Sequence, residues 1–431
     1  MLCDSYGVNE KGHFTLGSVD TVTLAEKYQT PLYVVDENLI RLRMRTYKEA
    51  TEKYFGGQSG IHYASKAFSC KEIYRIAADE GIGVDVVSIG ELYTAVSAGF
   101  PADMICYHGN NKTDDDIRTA LSLNVGEFMV DSFEELAVLD ALAGSFGKRQ
   151  RIMLRLTPNI DPHTQKAIST GELDSKFGTP IETGQAEKLT KLALSLKNVE
   201  LEGFHSHIGS QTFETQPFID QADVMFEFAA KMRDILGFEA KKINLGGGFG
   251  VAYTDADPKI DYVKNISEIG VRIDLLCNKY SLKKPSVFME PGRSIVADAG
   301  VTLYTVGSVK EIEDVRTYVS VDGGMTDNPR YALYGAKYTA LVANKADMPY
   351  EIVCTLAGRC CESGDMIGEN MPLQSVERGD KIAVLVTGAY NYSMASNYNR
   401  VPRAAVVFVK DGTDRLVVRR ESLDDIIKCD I

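Results

Sequence analysis

Short apolar runs alternate with amphipathic stretches along the first two thirds of the chain. The runs start at Pro31 (PLYVVD), Gly60 (GIHYASKA), Gly81 (GIGVDVVS), Asp103 (DMICYHGN) and Glu127 (EFMVDS). They continue at Arg151 (RIMLRLTPN), Val199 (VELEGFHSHIG), Lys241 (KKINLGGGF) and Pro285 (PSVFMEPGR). Near-continuous runs of this length, bounded by Gly, Pro and Asp, read as strands covered on both faces. The stretches between them carry helix-start signals: Ser88 precedes Glu91, and Ser132 precedes Glu135, at capping-box spacing. From Gly60 to Arg293 the pattern holds eight strands and eight connections in about 235 residues, close to the roughly 250 of a closed (β/α)8 barrel. An open doubly wound sheet would place a Gly-rich turn after its first strand, and none follows the Gly60 run.

Beyond Ile295 the pattern changes. VTLYTVGSVKEI, RTYVSVDGG, EIVCTLAG, KIAVLVTGAY, AAVVFVK and RLVVRR are β-rich runs separated by turn residues, with no helical stretches alternating between them. The pattern therefore predicts an α/β plus all-β chain. A TIM-type barrel is expected over residues 36–295, with a β-sandwich or β-barrel domain over 1–35 and 296–431. The opening segment, with FTLG and VTL, is expected to lend that second domain a strand.

Composition narrows the class. Lys plus Arg number 47 against 60 Asp plus Glu, a net charge of −13. That balance argues against a nucleic-acid or polybasic membrane-surface protein, which need clustered positive charge. The start, MLCDSYGVNEKGH, has no basic segment leading into an apolar run, so no secretory signal is expected. No stretch approaches the ~20 apolar residues that span a bilayer. The eight cysteines are scattered without a CxxC pair and read as reduced thiols of a cytoplasmic protein.

In a barrel of this kind chemistry gathers at the C-terminal ends of the strands. Those ends carry Lys66, Asp85 with Ser88, His108, Asp131, Arg155, His205 with His207, Gly246–Gly248, and Glu290 with Arg293. Ser88 and Asp131 read equally well as turn residues. Lys66 either packs its stem at the rim with its ammonium in water, or sits in a drier mouth as a Schiff-base nucleophile. The NLGGGFG run is not a GxGxxG fingerprint, because Val251 takes the last glycine's place. It is either a plain turn or a cradle whose backbone N–H groups approach a phosphate. His205 and His207, two apart on a strand, share a face. That spacing suits a metal, as in zinc amidohydrolases. Further ligands are scarce, since only His13, His62, His108 and His163 precede the pair and no histidine follows it. The other use for such a histidine is to cover the flat face of an aromatic ligand. Glu290 either pairs with Arg293 or holds a ring nitrogen protonated.

Lysine, phosphate cradle, stacking histidine and carboxylate together describe a pyridoxal-phosphate (PLP) site. YASKAF, ELDSKFG (from Glu172), FHSHIGSQ, NLGGGFG, EPGRS, DNPRYALYGA, CCESGD and GAYNYSMASNYN follow one another across the chain. On these motifs the chain resembles the alanine-racemase-like, fold type III family, and within it the diaminopimelate decarboxylases. The resemblance implies a cytoplasmic homodimer that decarboxylates meso-2,6-diaminopimelate to L-lysine through a PLP Schiff base on Lys66. His207 would stack on the pyridine ring, and Glu290 would pair with its nitrogen. Ser210, Gly246, Gly247, Gly248 and Tyr390 would meet the phosphate, with Asp85, Arg155 and Arg293 completing the cofactor set. Substrate would be held by Arg293, Arg330, Tyr334, Glu362 and Tyr390. Cys361 would donate the proton at Cα, supplied with Glu362 by the other subunit. No metal is expected. The chain departs from the family pattern at Tyr331, where proline is usual, and at Arg359-Cys360, where a more apolar pair is common. The alternatives are a related fold type III decarboxylase of ornithine/lysine, arginine or carboxynorspermidine, a zinc hydrolase, or a non-catalytic PLP-binding protein.

Overall fold

The computed structural model describes residues 2–160 and 174–431. It divides into two compact units, one of Arg43–Gly250 with Lys259–Gly292, the other of Met1–Leu42, Val251–Pro258 and Arg293–Ile431. The first is the expected barrel. Its strands are β1 (Gly60–Ala64), β2 (Gly83–Val86), β3 (Ile105–Tyr107), β4 (Glu127–Val130), β5 (Gln150–Thr157), β6 (Val199–His205), β7 (Lys242–Asn244) and β8 (Ser286–Met289). Each pairs in parallel with the next, and β8 pairs with β1 to close the ring. Cys106, Met129 and Met153 fill part of the interior. A helix follows each of the first seven strands, but only the four-residue helix Arg293–Val296 follows β8.

The helix starts are built as the capping signals require, with one shift. Ser88 accepts from the Glu91 N–H, and Ser132 accepts from the Glu135 N–H. The glutamates reach back one residue further than a capping box does, accepting from the N–H groups of Val87 and Asp131. This ties the end of each strand to the helix it feeds. Ser88 is thereby a cap.

The second unit is a sheet domain. Its strands run in the order Met366–Leu373, Ile352–Ala357, Arg316–Val321, Gly300–Ile312, Leu32–Asp36, Ala405–Lys410, Thr413–Val418. Lys381–Val384 also pairs with Gly300–Ile312, and with Ala340–Val342. The long strand Gly300–Ile312 changes register between Val306 and Ser308. A bulge there bends the strand, so its first half pairs with Leu32–Asp36 and Lys381–Val384 and its second with Arg316–Val321. The strand lent by the N-terminal segment is Leu32–Asp36. The FTL segment enters a separate three-stranded sheet of Tyr6–Val8, Phe14–Leu16 and Val19–Asp20, whereas VTL falls in the helix Thr21–Tyr28, which Asp20 caps by accepting from the Val22 and Thr23 N–H groups. Met366–Leu373 escapes a sequence reading because Gly368, Glu369 and Asn370 interrupt its apolar alternation.

Candidate active site

The mouth of the barrel unit gathers Lys66, Asp85, His108, His205, His207, Glu290 and the three glycines. Lys66 does not close its strand: β1 ends at Ala64, and Lys66 stands exposed in the short helical turn Ser65–Ala67. Its charge reaches Asp85 and His207.

Glu290 is gripped on three sides. Asn244 donates to Oε1 at 2.7 Å, His108 Nε2 lies 3.0 Å from Oε1, and His205 Nε2 lies 3.0 Å from Oε2. Burial works against its ionised form, but His108 and His205 outweigh burial and hold the carboxyl well below the usual range. Burial also pushes His108 down to about 3, so its imidazole is neutral, and its Nε2 stands close to Glu290 without hydrogen-bond geometry. The same three side chains lie within 4.8 Å of one another, a set that could hold a metal ion. As they stand, hydrogen bonds from Asn244 and His205 satisfy the carboxylate directly.

The pair His205 and His207 does not share a strand face. β6 ends at His205, so His207 lies beyond the pleat and takes its own direction. His205 serves Glu290, whereas His207 lies against the glycines, its Nδ1 only 2.9 Å from where a Gly246 Cβ would stand. Burial first, then Lys66 and Arg155, push His207 well below its ordinary pKa, leaving an uncharged ring. Asp85 is the opposite of Glu290. Burial, reinforced by Glu290, raises it well above the carboxylate range, and its Oδ1 has no hydrogen-bond partner among the described residues. Two carboxyl groups whose environments push them to opposite charge states mark a site built for proton bookkeeping.

Gly246–Gly248 form a cradle that only glycine fits. A Cβ at Gly247 would lie 2.1 Å from the Glu290 carbonyl oxygen, and one at Gly248 would lie 2.4 Å from that of Gly209. Gly246 and Gly248 also have φ of 65° and 126°, which L side chains rarely adopt. The loop carrying Ser210 is clipped to this cradle, Thr212 N–H donating to Gly248 O at 2.9 Å and Gly250 N–H to Thr212 O at 2.9 Å.

Arg155 lies 3.8 Å from Asp131 and over the ring of Phe177. Asp131 also accepts from the Gly178 N–H at 3.0 Å, which makes it an anchor for Arg155 and the following turn. Lys112, which no motif singled out, ties this rim together. Its buried ammonium donates to Gly109 O, Met129 O and Glu135, each at 2.8 Å. Within the ELDSKFG motif, Glu172 and Leu173 lie outside the described residues, as does His163.

The sheet unit gathers a second group. Arg293 and Arg330 are both buried and both meet Tyr253, and the Arg293 guanidinium lies 4.7 Å from the Tyr390 ring. Tyr334 ends the short helix Arg330–Tyr334 and is exposed. Tyr331, the first departure from the family pattern, donates its hydroxyl to Glu369 at 2.5 Å, and Glu369 in turn pairs with Arg316. Tyrosine thus anchors this helix where proline would only stiffen it. Cys361 and Glu362 are exposed on a turn, Cys361 N–H donating to Asn399 at 2.8 Å. No hydrogen bond or ion pair joins either to the arginine pair among the described residues. Burial raises the neighbouring Cys360 thiol to about 11, with Asp365 adding to the effect.

Residues 38–297 match the family model described as pyridoxal-dependent decarboxylase, pyridoxal binding domain. A diaminopimelate decarboxylase of Bacillus subtilis (strain 168) is 47% identical over 423 residues, 98% of this chain and 96% of that one. The chain belongs to the diaminopimelate decarboxylase family. A solved diaminopimelate decarboxylase from M. jannaschii in complex with L-lysine aligns with a TM-score of 0.92 at 36% identity, covering 99% of this chain and 98% of that one. One from Helicobacter pylori, also complexed with L-lysine, aligns at 0.85 and 34% identity over 95% and 98%.

Diaminopimelate decarboxylases of this family are pyridoxal-dependent, and the barrel mouth fits that cofactor. The cradle has room for backbone N–H groups to meet a phosphate and none for a side chain. His207 offers an uncharged ring beside it. Glu290 is held ionised, as an acceptor for a pyridinium N–H must be. No helix among the described residues is long and apolar enough to cross a membrane.

Proposed function

We propose that this diaminopimelate decarboxylase family member converts meso-2,6-diaminopimelate to L-lysine and CO2. The observation that carries the reading is Arg330. The residue is 9% exposed, and its guanidinium contacts tyrosines and has no carboxylate partner among the described residues. A buried cation without a counter-ion calls for an anionic ligand. Diaminopimelate has a distal carboxylate to meet it, whereas ornithine and arginine do not.

Bound PLP supplies a conjugated ring that accepts the electron pair left when CO2 departs from Cα. Lys66 Nζ is the amine that would hold the cofactor. Gly246, Gly247, Gly248, Ser210 and Tyr390 would take the phosphate, and His207 would cover one face of the ring. Glu290, fixed by Asn244, His108 and His205, would keep the ring nitrogen protonated by accepting its N–H. Asp85 and Arg155 line the mouth, and Arg293 assists at the substrate's carboxylate. Arg330 grips the distal carboxylate in a bidentate pair, while Glu362 accepts the distal ammonium and Tyr334 and Tyr390 orient the chain. Cys361 Sγ delivers a proton to Cα, where it replaces the lost CO2.

In this reading residues 36–295 carry most of the cofactor contacts and 1–35 with 296–431 most of the substrate contacts, with Tyr390 and Arg293 the exceptions. The active form is a homodimer in which Cys361 and Glu362 serve the partner's site. The eight cysteines are all free thiols, which supports a cytoplasmic location.

Arg330→Ala should lower kcat/KM for diaminopimelate by about 10- to 150-fold, the equivalent of losing 1.5–3 kcal/mol of charge-assisted bonding. Discrimination against L-lysine as an alternative substrate should shrink with it. An unchanged ratio of the two specificity constants removes Arg330 from this role.

A further inference from the structure

The segment that follows the glycine cradle, Val251–Pro258, folds with the sheet unit. It carries Tyr253, which is 5% exposed and has no place in the motifs of the site. Arg293 Nη1 donates to the Tyr253 hydroxyl at 2.6 Å. Arg330 lies over the Tyr253 ring, its guanidinium carbon 5.0 Å from the centroid. On its other side Arg330 Nη1 donates to the Tyr338 hydroxyl at 2.7 Å, and Asn391 donates to that same oxygen at 3.2 Å. The Tyr338 and Tyr253 rings meet edge to face at 86° with centroids 5.5 Å apart.

One phenol therefore touches two buried guanidiniums, by its oxygen and by its face. Two like charges held this close repel each other unless electron-rich groups lie between them. Burial would raise the Tyr253 phenol, yet Arg293 and Arg330 draw it below the usual tyrosine pKa, so its oxygen answers both cations.

We propose that Tyr253 is a positioning residue that sets the separation and direction of Arg293 and Arg330 before substrate arrives. The inference rests on the reading of those two arginines as the groups that receive the substrate's carboxylates. A free arginine stem loses rotamer freedom when it grips a ligand, whereas one already held loses little, and the difference goes into affinity. Tyr253 acts through the arginines and touches no reacting atom. Its hydroxyl answers both arginines, and its ring adds a face for Arg330.

Two variants separate these roles. Tyr253→Phe keeps the ring and loses the hydroxyl; Tyr253→Leu loses both. With the PLP-loaded enzyme, Tyr253→Phe should raise KM for meso-diaminopimelate about 5- to 10-fold, the scale of one hydrogen bond to a charged group. Its kcat should stay within about 2-fold, and the visible cofactor band should not move. Tyr253→Leu should add a fall in discrimination between diaminopimelate and L-lysine, toward that of Arg330→Ala. If Arg330→Ala loses discrimination but both Tyr253 variants keep wild-type KM, the positioning role is wrong and the substrate reading stands. If Arg330→Ala itself leaves discrimination unchanged, the substrate reading fails and takes the positioning role with it. A parallel drop of kcat, cofactor band and melting temperature in Tyr253→Phe would make the residue merely structural and also overturn the proposal.

Discussion

Lys66→Ala is expected to abolish decarboxylation, with turnover falling on the order of 10⁴-fold or more, as when a covalent catalyst is removed. The variant should still fold. Lys66 is exposed in its turn and makes no hydrogen bond or ion pair among the described residues. Removing such a side chain costs no more than a surface substitution, about 0.5 kcal/mol. The cofactor should still bind without a covalent link, because the glycine cradle, His207 and Glu290 remain. Borohydride should therefore fix cofactor to the wild-type chain and not to the variant, with the labelled peptide containing Lys66. Near-native turnover in the variant refutes the assignment.

The second large effect concerns assembly. Chains bearing Lys66→Ala and chains bearing Cys361→Ala should each be essentially inactive alone, yet recover activity when mixed. Lys66 lies in the barrel unit and Cys361 in the sheet unit. In a two-fold dimer with composite sites, a hybrid collects both lesions in one site and neither in the other. Random mixing makes about half the dimers hybrids, so about a quarter of all sites should be intact. Activity should climb toward that fraction after subunit exchange. If mass measurement confirms hybrids while activity stays at the level of the separate variants, Cys361 acts within its own chain.

The barrel was legible because its strands are covered on both faces and so appear as unbroken apolar runs, such as the fully buried GVDV of Gly83–Val86 and EFMV of Glu127–Val130. The site's motifs were legible because each chemical group sits at a strand end beside glycine, proline or another polar group. Direction was harder to read. The two-residue spacing of His205 and His207 implies a shared face only while the strand lasts, and it ends between them. The grip of His108 and Asn244 on Glu290 depends on which strand ends the closed ring brings together, and local sequence does not encode that. Tyr253 was missed for the same reason: an isolated tyrosine after a glycine run carries no local sign that two distant arginines close on it.

The central claim is that this chain removes CO2 from diaminopimelate and not from a simpler basic amino acid. The most direct measurement is CO2 release by the PLP-loaded enzyme from meso-diaminopimelate, L-ornithine, L-lysine and L-arginine under one set of conditions. L-lysine should appear in step with CO2 from meso-diaminopimelate. The other three should be processed with kcat/KM lower by roughly 10³-fold or more, because each leaves the site's buried polar groups unpaired. Comparable or faster CO2 release from ornithine, lysine or arginine would contradict the account.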